Sequence, residues 1–125
     1  MIAAAPLPAD VRKALLAHDP SWPAEAAVRW SAKTGTALDT GSWLRRAPVF
    51  AAVVGDRFAL VAAGPRPYVR VLPAAALGRA VYNHVTGELA FPAVTAGPAI
   101  PSLKLDPLLA RSLLDLAHQG ERTNA

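Results

Sequence analysis

Residues 49–105 alternate short apolar runs with turns that contain glycine or proline. Apolar and β-branched runs bounded by such turns are typical of antiparallel strands. The clearest pair is 49–54 and 57–63, joined by Gly55 and Asp56. A two-residue loop that begins with glycine suits a tight hairpin, because glycine tolerates a positive φ. This region therefore predicts a protein built from consecutive β hairpins.

Other segments carry the same kind of signal. In the segment 26–33, Trp30 and Ala32 alternate with Arg29 and Lys33, which predicts a strand with one polar face. Its alanines also allow a helix that ends at Gly35, and both alternatives stay open at this stage. Further strands are predicted at 68–72, 79–83, 88–91 and 102–105, with a loop at 34–42, one helical turn at 73–77 and a proline-rich loop at 92–101.

Two helices are predicted, one at each end of the chain. The pattern of residues 8–18 indicates a short amphipathic helix. The second helix begins after Asp106, a good N-cap, with Pro107 in the first helical position and Gly120 where the chain should leave the helix. Its apolar stripe must pack on another element, and consists of Leu109, Leu113, Leu116 and Ala117.

These elements predict a mainly β fold, a seven-stranded bent antiparallel sheet forming a barrel whose open end the C-terminal helix covers. Residues 1–25 form an N-terminal helical extension, 26–120 the domain, and 121–125 a disordered tail. One domain is expected, because domains typically run to about 100–150 residues.

Composition excludes several classes of function. The chain has no cysteine, so disulfides and thiolate metal sites are excluded. Its 13 basic residues exceed its 9 acidic ones but are spread along the chain, so we expect no nucleic-acid partner.

The longest apolar run, 49–54, is far shorter than the roughly 18 residues of a membrane span, and the N-terminus lacks a basic leader. We therefore expect a soluble cytoplasmic protein. His18, His84 and His118 lie far apart in sequence, so neither a metal nor a cofactor is expected.

Four segments in this order carry a family resemblance: 50–61, 68–73, 80–91 and 103–114. Together they resemble the bacterial pleckstrin-homology-like (PH-like) domains of the short, GRAM-related type. Those domains have a similar hairpin with an Asp-Arg turn, a strand that ends in Arg-x-hydrophobic-Pro, a glycine-closed hairpin and a closing helix. The resemblance covers about residues 26–118 and implies a non-enzymatic binding module, here with an unidentified protein partner and self-association left open.

The same resemblance implies an alternative ligand, an anionic lipid or phosphoinositide. Lipid-binding members use basic residues on the first two strands and the loop between them. Lys33, Arg45 and Arg46 fall in that region, and Trp43 beside them is suited to a bilayer interface. The family's phosphoinositide pattern is absent, because Arg45 is followed by Arg46, Ala47 and Pro48. A simple solvated loop, with Trp43 partly buried in the core, remains the other interpretation.

A further alternative belongs to another class of protein. The segment 37–42, which contains Asp39, resembles the Asp-Thr-Gly-Ser motif of dimeric, retropepsin-like aspartic proteases, and 76–79 resembles their supporting hydrophobic-Gly-Arg segment. Two copies of Asp39, one from each subunit, would share a proton and activate water. The separation between Asp39 and Gly78 is too short for the intervening strands and flap. We therefore predict that the chain is not an enzyme and has no catalytic residue.

Overall fold

The computed structural model describes residues 7–22, 28–43, 45–92 and 100–123, with the backbone alone for 118–123. Two helices flank a mainly β arrangement in these ranges. The elements in chain order are α1 (Ala9–His18), β1 (Val28–Leu38), β2 (Ala47–Val54), β3 (Arg57–Ala62), β4 (Tyr68–Pro73), a 3₁₀ helix (Ala74–Arg79), β5 (Val81–Asn83), β6 (Glu88–Ala90), β7 (Leu103–Lys104) and α2 (Pro107–Thr123).

The strands of the described residues form two antiparallel sheets. One has the order β1-β2-β3-β4 and the other the order β5-β6-β7. The mainly β prediction is confirmed, but the prediction of one bent sheet closed as a barrel is wrong. The chain leaves the β4 edge through the 3₁₀ helix before β5 begins, so β4 and β5 do not pair.

Side chains rather than a backbone ladder join the two sheets at β1 and β7. The Thr36 hydroxyl donates to the Ser102 carbonyl, and the Lys104 N–H donates to the Thr36 hydroxyl, each at 2.9 Å. A Cβ on Gly35 would lie 3.0 Å from the Lys104 Cβ, so glycine permits the close approach of β7. The two sheets are therefore in contact at this junction, although no backbone ladder joins them.

Two hydrophobic clusters lie on opposite faces of the four-stranded sheet. Successive β2 residues alternate between them: Ala51 and Val53 belong to the inner cluster, and Ala52 and Val54 to the outer one. The inner cluster is shared with the second sheet and α2, and its fully buried members include Trp30, Phe58, Leu60, Leu77, Leu89, Leu103 and Leu113. The outer cluster is covered by α1, whose Val11 and Leu15 are buried.

The C-terminal helix confirms its sequence signals at the start but not at the end. An Asp106 carboxylate oxygen accepts the Leu108 N–H at 2.8 Å, and Pro107 is the first helical residue. Leu113, Leu116 and Ala117 are buried, as the apolar stripe predicts. The predicted exit at Gly120 is wrong, because the helix continues to Thr123. Glycine inside a helix costs only about 1 kcal/mol relative to alanine, which a propagating helix tolerates. The range predicted as a disordered tail therefore begins within α2, and residues 124 and 125 lie outside the described residues.

The first strand resolves the ambiguity of residues 26–33 in favour of β structure, although 26 and 27 lie outside the described residues. β1 also continues to Leu38, where a loop was predicted, because register shifts between Lys33 and Ala37 accommodate Gly35 within the strand. Another shift between Val28 and Trp30 reverses the alternation, so Val28 packs in the outer cluster. Sequence patterns do not reveal such bulges.

The remaining short elements follow their predictions. The hairpin turn at Gly55 has φ +60°, and Gly87 closes the β5–β6 hairpin with φ +73°. The predicted helical turn after β4 is the 3₁₀ helix, which places Leu77 in the inner cluster. Leu103 and Leu105 face inward as expected, whereas most of the predicted proline-rich loop (93–99) lies outside the described residues.

Candidate basic pocket

The loop between β1 and β2 is folded by its own polar groups. An Asp39 carboxylate oxygen accepts the Gly41 N–H at 2.9 Å, and Gly41 adopts φ +94°. A short Asx turn of this kind reverses the chain locally, and glycine allows the positive φ. The loop therefore leaves β1 in a defined direction.

Contacts with the β3–β4 turn hold this loop in place. The Thr40 hydroxyl donates to the Ala63 carbonyl at 2.9 Å, and the Arg66 N–H donates to the Thr40 carbonyl at 2.8 Å. Thr40 is 2% exposed, although it lies in a loop. A Cβ on Gly64 would overlap the Thr40 side chain, so the two segments touch without a gap. The loop and the turn form one end of the four-stranded sheet.

A cavity of about 510 Å³ lies at this end, between the loop, the outer face of β1 and β2, and the start of α1. Three of the four candidate ligand-binding residues line it: Lys33 from β1, and Arg45 and Arg46 from the end of the loop. The hydroxyl-bearing residues Thr40 and Ser42 line it as well. We call this cavity the basic pocket. The structure thus brings together residues that are up to 13 positions apart in sequence.

The charges of the basic pocket are unevenly balanced. Lys33, Arg45 and Arg46 are exposed, and none of their side chains forms an ion pair or hydrogen bond with another described residue. The carboxylate in the lining is that of Asp10, at the start of α1, and one of its oxygens accepts the Val11 N–H at 2.9 Å. Among the described lining residues, three cations against one carboxylate give a net positive charge, which attracts anions.

The fourth candidate residue, Trp43, is placed differently. Its side chain is 91% exposed and is absent from the pocket lining. The interpretation that Trp43 is partly buried in the core is wrong, because the loop turns the indole away from both clusters. Its neighbour Leu44 lies outside the described residues. A large apolar side chain exposed beside two arginines can enter an interface that carries negative charge.

The Asp-Thr-Gly-Ser segment, 39–42, forms the first part of the loop between β1 and β2. Asp39 is exposed and forms the Asx turn, whereas Thr40 and Ser42 line the basic pocket. The second protease-like segment, 76–79, lies in the 3₁₀ helix. One chain does not test an active site that needs two subunits, so the protease alternative stays a prediction.

Sequence reasoning missed several pocket residues. Asp10 lies within the predicted helix 8–18, Thr40 and Ser42 within the protease-like motif, and Phe50 within a predicted strand, and none of them was predicted to bind an anion. The hydroxyls were a usable signal, because a loop with serine, threonine and paired arginines suits anion binding. Nothing local in the sequence places Asp10 beside the loop, since α1 reaches it through tertiary packing on the outer cluster.

No group of three or more histidine, aspartate or glutamate residues in the described ranges could hold a metal ion. His84 is exposed and stacks edge-on against Tyr82 with ring centroids 5.1 Å apart. The His118 side chain lies outside the description. No helix within the same ranges is long and apolar enough to cross a bilayer.

Comparisons with known proteins do not assign this chain to a family. No protein-family model, no curated protein and no solved structure matches the chain.

Proposed function

We propose that this chain is a non-enzymatic binding module of PH-like architecture whose ligand is an anion held in the basic pocket. One observation carries the proposal: Lys33, Arg45 and Arg46 come from a strand and a loop and line a single cavity without ion-pair partners among the described residues. Unpaired cations around a cavity favour a ligand that supplies the missing negative charge.

The arrangement of elements supports the PH-like part of the proposal. A four-stranded and a three-stranded antiparallel sheet, followed by a helix packed on the inner cluster, resemble the architecture that the motifs at 50–114 imply. The resemblance also places ligand-binding bases on the first strands and their connecting loop, which is where Lys33, Arg45 and Arg46 lie. The added helix α1 packs against the outer face of the sheet.

The chemistry of the pocket suits a phosphate-like group. Guanidinium groups bind phosphate with two parallel hydrogen bonds, and hydrogen bonds to charged groups contribute about 1.5–3 kcal/mol each. The Ser42 hydroxyl can add a neutral donor. Asp10 opposes the anion by like-charge repulsion, so Asp10→Asn should tighten anion binding a few-fold while preserving the turn at the start of α1.

A matched pair of double variants tests the proposal. Inorganic phosphate binding is measured by NMR titration for Arg45→Ala/Arg46→Ala and for Arg79→Ala/Arg111→Ala, whose arginines are also exposed but absent from the pocket lining. Both variants lose the same charge. We expect at least about a tenfold loss of affinity in the first and little change in the second. Equal losses would mean that only net charge matters, and the proposal would then be wrong.

An anionic lipid surface is a second candidate, favoured by the 91% exposure of Trp43 beside Arg45 and Arg46. Indole rings settle at the membrane interface, and guanidinium groups bind lipid phosphates. Vesicles of equal parts phosphatidylcholine and phosphatidylglycerol should pull down the protein at low salt, whereas pure phosphatidylcholine should not. Trp43→Ala and Arg45→Ala/Arg46→Ala should each reduce the bound fraction. Pull-down that survives both changes would dismiss this candidate.

The non-enzymatic part of the proposal has its own test. Peptide cleavage at acid pH is compared for the unaltered chain and Asp39→Ala, under conditions where a carboxylate pair shares one proton. We expect no cleavage by either protein. Cleavage that depends on Asp39 would restore the aspartic protease alternative.

A further inference from the structure

The basic pocket has a second kind of wall. Besides its charged and hydroxyl-bearing residues, the cavity is lined by apolar groups, among them Phe50, Pro48, Val11 and Ala63. Phe50 is the β2 register partner of Lys33, so an aromatic ring and an ammonium-bearing chain stand side by side on the outer face of the sheet. The lining is therefore divided between a cationic part and an apolar part.

The apolar part continues the outer hydrophobic cluster. Val11 of α1 is 1% exposed and belongs to this cluster, whereas Phe50 and Ala63 pack against it while remaining only half-buried. The helix thus covers the middle of the outer face, and the apolar surface extends past its first turn into the pocket. Half-buried apolar groups in a concave site are available to an apolar ligand.

The size of the cavity points in the same direction. Its volume of about 510 Å³ lies within the roughly 300–1,000 Å³ that is common for small-molecule sites. A water molecule takes about 30 Å³ of liquid volume, and an inorganic anion is equivalent to a few waters. Such an anion would leave most of the cavity, including the surface of Phe50, without a partner.

We propose that the ligand of the basic pocket is an amphiphilic anion: a phosphate-like head bound by Lys33, Arg45 and Arg46, with a short alkyl body that lies against Phe50 beneath the start of α1. This inference rests on the proposed anion-binding function and adds the chemical class of the ligand. The ligand is bound as a single molecule, with its apolar part inside the protein and not in a bilayer.

A chain-length series in the unaltered protein tests the inference without any risk of misfolding. Ethyl, butyl, hexyl and octyl phosphate are titrated below their micelle concentrations by isothermal calorimetry, with octanol and inorganic phosphate as the two half-ligands. A buried methylene is worth about 0.8 kcal/mol, which corresponds to about a fourfold gain in affinity. We expect affinity to rise with each added carbon until the cavity is filled, and octanol to bind far more weakly than octyl phosphate.

Two variants separate this inference from the proposed function. Arg45→Ala/Arg46→Ala should weaken the binding of every phosphate in the series, whereas Phe50→Ala should reduce the gain in affinity per added carbon. Thermal melting checks that both variants fold. Affinity that does not depend on chain length would overturn the amphiphile while anion binding stands. Equal binding of octanol and octyl phosphate would overturn the anionic head, and absence of binding by every phosphate would remove both proposals.

Discussion

The contact between Gly64 and Thr40 gives a quantitative test of the architecture at the basic pocket. A Cβ at position 64 would lie 2.0 Å from the Thr40 hydroxyl oxygen and 2.7 Å from the Thr40 Cβ. Real Cβ contacts rarely fall below about 3 Å, so Gly64→Ala must displace one of the two segments. Because Thr40 is 2% exposed, no side-chain rotation into solvent relieves both overlaps.

The expected cost has two parts. Displacing Thr40 breaks its hydrogen bond to the Ala63 carbonyl and leaves buried polar groups unpaired, at about 1–3 kcal/mol. Gly64 also has φ +156°, a conformation that residues with a Cβ rarely adopt and that costs about 1–3 kcal/mol. Gly64→Ala should therefore lower the free energy of unfolding by about 2–6 kcal/mol, out of the roughly 5–15 kcal/mol typical of a domain.

Urea denaturation followed by circular dichroism measures this free energy, and Gly55→Ala is the matched control. Gly55 has φ +60°, but a Cβ there meets no atom within 4 Å, so only backbone strain of about 1–2 kcal/mol is expected. In a Thr40→Gly background, the cost of Gly64→Ala should fall to the backbone strain and the remaining 3.1 Å contact with the carbonyl oxygen of residue 40. Equal costs for the two glycines, or no effect of the Thr40 background, would refute the reasoning.

Three further predictions concern the packing of α2, the junction between the two sheets and the charge of Asp19. Leu113→Ala should lower the free energy of unfolding by about 2–5 kcal/mol in urea melts, because Leu113 is fully buried. Leu108 is 77% exposed, so Leu108→Ala should change this free energy by less than about 0.5 kcal/mol. Equal costs would contradict the packing of α2. Thr36→Val should cost about 1–2 kcal/mol in the same assay by removing both hydrogen bonds between the sheets, and no change would mean that they contribute nothing. Hydrogen bonds from the Ser21 hydroxyl and N–H, with help from Arg57, hold the pKa of Asp19 below its ordinary value of 3.8. This carboxylate therefore stabilises the fold at neutral pH, and the contribution is lost as the pH falls from the ordinary pKa through the lowered one. Asp19→Asn should flatten the stability profile in that range, and an unchanged profile would contradict the assignment.

Much of the local structure could be predicted from the sequence. The hairpin at Gly55 and the start of α2 at Asp106 were confirmed, because each depends on a few adjacent residues. The separation of the two sheets was missed, since it depends on the path of the chain away from the β4 edge and on side-chain contacts where β7 approaches β1. Sequence patterns carry no information about such an approach between segments far apart in the chain.

The candidate site shows the same division. The PH-like resemblance marked Lys33, Arg45 and Arg46 as candidate ligand-binding residues and left Asp10 and Phe50 unnoticed. Residue type states what a side chain can bind, whereas a pocket requires side chains from several elements to converge. The convergence depends on the hydrogen bond between Thr40 and Ala63 and on the packing of α1 against the outer cluster.

The sequence by itself therefore determined the hairpin strands between residues 49 and 90, their turns and the start of the capped helix, since periodicity, glycine conformation and a carboxylate next to free N–H groups act over a few residues. The tertiary structure alone decided that β7 approaches β1 closely at Gly35, that Trp43 faces solvent and that the cations share one cavity with apolar residues. These features arise when packing brings segments that are distant in sequence within a few ångströms of each other. The interaction energies come from residue pairs far apart in the chain, and a local sequence pattern does not contain such pairs.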